Sequence, residues 1–168
     1  MRKEEKISPE QFLSFVVFRI GEELFGINIF QVKEITNMAE IASLPNPPPF
    51  ISGLIDLRGT LIPILDVRKK LALPVFNPTK RARILIVSIK GRLAGFIADE
   101  VKDVIRIEKG KVKSTPLLLK ESGSEIFQGI FKIDSKVVFV LDMERLFTEK
   151  EIMDIKRISE IMKKGDKE

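Results

Sequence analysis

The chain has no cysteine and no histidine among its 168 residues. Without cysteine there is neither a disulfide framework nor a thiol nucleophile. Without histidine the commonest metal ligand and the commonest general base are both missing. Tyrosine and tryptophan are absent too, so phenylalanine is the only aromatic. No apolar run is long enough to span a bilayer, and the N-terminus mixes both signs of charge, unlike a signal peptide. Nothing resembles a phosphate loop, a metal cluster or a nucleophile elbow. The usual catalytic machinery is missing, although Asp, Glu, Lys and Ser remain, so composition does not exclude catalysis.

What is present is a repeat. Ile51-Ser-Gly-Leu-Ile-Asp-Leu-Arg-Gly-Thr-Leu-Ile-Pro-Ile-Leu-Asp66 is followed later by Phe127-Gln-Gly-Ile-Phe-Lys-Ile-Asp-Ser-Lys-Val-Val-Phe-Val-Leu-Asp142. Gly53 falls on Gly129, Leu65 on Leu141 and Asp66 on Asp142, all at one offset. Upstream, at a slightly shorter offset, Gly26 falls on Gly95 and Val32 on Val101. Shared glycines, a shared closing Leu-Asp and a shared order indicate an internal duplication.

Each half reads as about five short strands, enough for a small closed barrel and too few for a sandwich. In the first half, Phe12–Ile20 and Leu24–Ile29 form a hairpin. Ile29, Val32 and Ile35 recur at helical spacing, which predicts one short helical turn, with a strand from Ile35 to Leu44 after it. Pro45-Asn-Pro-Pro-Pro49 is a stiff connector, a better reading than a proline-motif ligand. Strands Ile51–Leu57 and Leu61–Leu65 flank a tight turn at Arg58-Gly59. Asp66 then caps a short helix that Pro74 ends.

The second half repeats this with strands Ile84–Ile89, Leu93–Ala98, Val101–Ile107, Phe127–Ile133 and Val137–Leu141. The halves run over about 12–74 and 83–148, and a helix over 149–164 follows. Thr148-Glu-Lys-Glu151 makes a capping box for that helix, and Ile152, Ile155, Ile158 and Met162 form its apolar stripe.

The excess of 29 basic over 24 acidic residues gives a net charge of +5. That balance admits an alternative, a basic OB-like nucleic-acid-binding module. Against it, many of the basic residues lie in tails and loops, and the phenylalanines fall mostly where strands need a core rather than where bases would stack.

Positions shared by the two copies belong to the core, so function should lie where the copies diverge. Arg58-Gly59 stands opposite Asp134-Ser135, and Val32-Lys-Glu-Ile35 opposite Val101-Lys-Asp-Val104. A loop arginine is commonly just solvated, but one on a rigid hairpin offers charge-assisted bonds in fixed geometry.

Three stretches carry a resemblance. Phe25-Gly-Ile-Asn-Ile-Phe-Gln-Val-Lys-Glu-Ile35, Gly53-Leu-Ile-Asp-Leu-Arg-Gly59 and Pro63-Ile-Leu-Asp-Val67 are similar to the CheW family of chemotaxis coupling proteins. The likeness runs from about Phe12 to the tail helix. It implies an all-β fold of two five-stranded barrels of OB or SH3-like type, with strands exchanged between the halves. It implies no enzymatic activity and no cofactor. The partners it implies are the cytoplasmic helical-hairpin tips of chemoreceptors and the regulatory domain of the histidine kinase CheA. Nucleic acid and direct membrane insertion are not implied, and the location would be cytoplasmic, at membrane-associated receptor arrays. The receptor-facing positions it implies are Val32, Glu34, Gly53 and Arg58. Kinase contacts are placed loosely, near Ile41 and Ile84 on one half and at Leu117, Leu118 and Leu119 on the other.

Overall fold

The computed structural model describes residues 9–75, 79–114 and 126–165. The first half supplies β1 (Phe12–Ile20), β2 (Glu23–Asn28), β3 (Val32–Asn37), β4 (Ile51–Leu57) and β5 (Thr60–Leu65). The second supplies β6 (Arg83–Ile89), β7 (Arg92–Ala98), β8 (Glu100–Glu108), β9 (Phe127–Ile133) and β10 (Lys136–Leu141). Each half closes with a short helix, α1 (Val67–Lys70) or α2 (Met143–Leu146), and α3 (Glu149–Gly165) ends the described chain.

The strands form two five-stranded sheets, ordered β8-β1-β2-β10-β9 and β3-β6-β7-β5-β4. Each sheet takes a hairpin from one half and three strands from the other. The two orders become identical when each strand is replaced by its copy, so the strands are exchanged between the halves. Where the hairpin of one half meets the last strand of the other, pairing is parallel, β2 with β10 and β7 with β5. All other pairs are antiparallel.

Two backbone bridges close the sheets into barrels. Ala42 N donates to Leu54 O at 2.8 Å and Leu54 N to Ala42 O at 2.9 Å, tying the chain after β3 to β4. Lys113 N donates to Ile130 O at 2.8 Å and Ile130 N to Lys113 O at 2.9 Å, tying the chain after β8 to β9. The residue before each bridged strand position is one of the repeated glycines. A Cβ on Gly53 would lie 2.4 Å from Ala42 O, and one on Gly129 2.7 Å from Lys113 O. The duplicated glycines therefore mark the close backbone approach that shuts each barrel.

Three apolar cores result. Phe15, Val17, Phe131, Val138 and Val140 fill the first barrel, and Ile55, Ile62, Ile64, Ile84 and Ile86 fill the second. A larger core lies between the barrels, with Phe18, Phe25, Phe96, Leu85, Val87 and Phe147 among its members. Strands β1 and β6 thus bury both faces, which is why they read as nearly continuous apolar runs rather than as alternation.

The helices follow the expected caps. Asp66 accepts from Lys69 N, and Asp142, its copy, from Glu144 N. The box at Thr148 is formed reciprocally. Thr148 N donates to Glu151 Oε1 at 2.9 Å, and Glu151 N to Thr148 Oγ1 at 3.2 Å. Helix α3 drops a fully buried Ile155 into the central core, with Ile152 and Ile158 packed beside it. Lys70 of α1 and Glu151 pair at 2.5 Å across this joint.

One expectation fails between residues 29 and 44. Only Ile29–Gln31 forms a helical turn, of 3-10 type, and Val32–Asn37 is strand β3. The apparent helical period comes from a bulge. Val32 pairs with Val87 and Ile35 with Leu85, with the register slipping at Lys33. The extra residue puts two apolar side chains three apart on one face of a strand. The second half carries the same bulge at Lys102, where Val101 pairs with Phe18 and Asp103 with Val17. Past Asn37 only the bridge at Ala42 keeps strand pairing, so the strand expected to reach Leu44 is cut short.

Candidate functional site

The site is built where the two halves diverge, at the seam of the second barrel. Strands β4 and β5 are joined by a two-residue turn in which Arg58 and Gly59 both have positive φ, 51° and 89°. That pairing suits the right-handed twist of a hairpin. Asp56 Oδ1 accepts from Gly59 N at 2.7 Å and braces the turn.

The arginine is exposed but forked to a carboxylate. Its Nη1 donates to Glu34 Oε1 at 2.9 Å and its Nη2 to Glu34 Oε2 at 2.7 Å, a bidentate fork. Glu34 lies on β3 and Arg58 on the β4–β5 turn, so the pair crosses the seam beyond the Ala42–Leu54 bridge. The Arg58 side chain remains 72% exposed and that of Glu34 32%. The bond from Arg58 holds the Glu34 carboxyl below the usual carboxylate range, and the same bond raises the guanidinium. Both groups stay charged at neutral pH and present a forked ion pair to solvent.

The first barrel has no equivalent. Asp103 stands in place of Glu34, and Asp134 in place of Arg58. Asp103 turns its Oδ1 to the neighbouring Val104 N at 2.8 Å. One seam is therefore pinned by a forked ion pair, and its copy bears two acids and no arginine.

On the chain leading to and past Glu34, Ile29, Phe30 and Ile35 are exposed, Phe30 to 85%. Val32 is half-buried against the central core. Gly53, expected on the receptor-facing surface, is buried under Ala42 and Ile41. It shapes the seam from beneath.

The residues expected at a kinase contact fare differently. Ile41 is half-buried at the rim of the second barrel's core and lines a groove of about 560 Å³ with Ile64, Ile97, Asp66 and Arg68. Ile84 is 0% exposed, because β6 is a central strand with a core on each face, so it offers no surface to a partner. Leu117, Leu118 and Leu119 lie outside the described residues. Sequence reading missed Phe30 as an exposed side chain, and its position in an apolar stretch gave no hint of it.

Among the described residues no group of three or more acidic side chains could hold a metal ion. No helix among them is long and apolar enough to cross a membrane.

The chain is similar to known proteins. The family model described as CheW-like domain matches residues 14–151. The chain is 30% identical over 153 residues to a chemotaxis protein CheW of Treponema pallidum, covering 89% of each chain. It is 30% identical over 127 residues to that of Bacillus subtilis, covering 76% of this chain and 81% of the relative. The crystal structure of the scaffolding protein TtCheW from Thermoanaerobacter tengcongensis superposes with a TM-score of 0.74 at 33% identity, covering 88% of this chain and 94% of that one. Duplicated halves, exchanged strands and a match over most of the length agree: the chain belongs to the CheW-like domain family.

Proposed function

We propose that this chain is a non-enzymatic adaptor of chemotaxis signalling, coupling the cytoplasmic helical-hairpin tips of chemoreceptors to the regulatory domain of the histidine kinase CheA. The observation that carries the receptor half is the Glu34–Arg58 fork, an exposed bidentate ion pair found in one copy of a duplicated fold and not in the other. A helical hairpin needs an apolar strip with charges beside it. Val32 would supply the apolar part and the forked pair the charges, with Gly53 allowing the seam that holds them. The kinase would meet the groove at Ile41 and the stretch Leu117 to Leu119. Such an adaptor would work in the cytoplasm, at membrane-associated receptor arrays.

A scaffolding relative and several chemotaxis relatives support this reading. The nucleic-acid alternative would have to rest on Phe30, the one phenylalanine among the described residues that is strongly exposed. Phe15, Phe18, Phe25, Phe50, Phe96, Phe131 and Phe147 are all buried and unavailable as stacking platforms.

Charge reversal tests the receptor face. Arg58→Glu should weaken capture of a purified receptor hairpin fragment by about tenfold or more, while capture of the kinase regulatory domain persists. The swap Glu34→Arg/Arg58→Glu restores the fork with its polarity reversed. It should recover the wild-type melting temperature without recovering receptor capture. Undiminished receptor capture by the folded single variant, or loss of kinase capture alone, would overturn the assignment.

A further inference from the structure

The two halves turn the same corner with different residues, β2 into β3 and β7 into β8. Counted back from Val32 and Val101, Phe30 stands where Asp99 stands. Asp99 is buried and occupied. Its Oδ2 accepts from Gly21 N at 2.6 Å in the β1–β2 turn. Its Oδ1 accepts from Arg68 Nη2, and Arg19 lies 3.7 Å away. Asp99 is thus the carboxylate that satisfies a turn amide while a helix arginine neutralises it.

The other corner solves the same problem without its own carboxylate. Glu144 stands where Arg68 stands, counted from the capping Asp142 and Asp66, and Lys90 N stands where Gly21 N does. Glu144 Oε1 accepts from Lys90 N at 3.2 Å, and its Oε2 lies 3.6 Å from Lys90 Nζ. The turn amide is served from α2 directly. Position 30 is freed from that structural duty, and what it holds is the largest apolar side chain, exposed to 85%.

That side chain stands on a rigid base. Asn28 Oδ1 accepts from Phe30 N at 3.0 Å, and the turn packs on both β1 and β6. An aromatic exposed to 85% on a braced turn, next in sequence to the exposed Ile29, has the form of a binding anchor rather than a stray surface residue. The turn runs straight into β3, which carries Val32 and Glu34.

We infer that Phe30 is an apolar anchor for the receptor hairpin, its ring seated against the partner's helices beside the Glu34–Arg58 fork. The inference rests on the adaptor reading above and adds a specificity-determining residue to it. The test uses Phe30→Ala and Phe30→Asp in the full chain, the second carrying the residue of the quasi-equivalent corner. Titration calorimetry measures binding of a purified receptor hairpin fragment and, separately, of the kinase regulatory domain. Receptor Kd should rise by about tenfold or more in both variants, with kinase Kd and melting temperature unchanged. If wild type binds the fragment and both variants bind it equally well, the anchor falls while the adaptor reading stands. A lowered melting temperature, or weakening toward the kinase alone, also overturns the anchor. Failure of wild type to bind the fragment at all overturns both.

Discussion

Gly53→Ala and Gly129→Ala should each destabilise the protein severely, although each adds a single methyl group. The new carbon on Gly53 would press on Ala42 O at 2.4 Å and on Ile41 Cγ2 at 2.6 Å. On Gly129 it would press on Lys113 O at 2.7 Å and Val112 Cγ1 at 3.0 Å. In both cases the near neighbour is a carbonyl that makes the closing bridge, so relief means opening the barrel. Overpacking of this kind costs about 3 kcal/mol, and losing the bridge adds to it. For a chain of this size that lowers Tm by roughly 10 °C. Gly110→Ala is the control, since a Cβ there meets nothing within 4 Å. Thermal unfolding followed by circular dichroism measures all three. Melts within a degree or two of wild type for both bridge variants would mean that the glycines do not close the barrels.

Asp99→Ala should cost about 3–5 kcal/mol, because it takes the carboxylate away from a buried guanidinium and a turn amide together. Arg68 and Asp99 are each less than a tenth exposed, and they join elements of both barrels. Arg68 holds α1, while Asp99 links the end of β7 in one barrel to the start of β8 in the other and caps the β1–β2 turn. Removing either partner leaves the other's charge buried. Removing both, as in Arg68→Met/Asp99→Ala, should therefore cost clearly less than the sum of the two single changes. Urea unfolding of the three variants measures the coupling. Additive costs, or an Asp99→Ala cost under about 1 kcal/mol, would show that the pair is not a joint between the barrels.

The duplication was legible because its marks are local. Glycines at a close approach, a Leu-Asp pair ending a strand at a helix cap and a capping box are short-range signals that survive in a single sequence. The turn at Arg58-Gly59 was legible for the same reason. The bulge at Lys33 was not, because one inserted residue turns a strand's period into something near a helix's. Ile84 could not be placed from its neighbours either. A strand with a core on each face has no polar side to say which way it points. Arg68 and Asp99 are separated by 31 residues, and nothing in either local sequence marks the other as its partner. Glu34 and Arg58 were both singled out by divergence between the copies, but as separate charges. Their fork exists only once β3 and the β4–β5 turn are brought to one seam. Phe30 looked like one more apolar residue until its counterpart, Asp99, proved to be buried and bonded.

An adaptor must hold both partners at once, and sedimentation velocity measures that directly. The full chain is mixed with a receptor hairpin fragment, with the kinase regulatory domain, and with both. The account predicts a faster boundary with each partner alone and a third, faster still, that contains all three proteins. Exclusion of one partner by the other, or binding to only one of them, would contradict it.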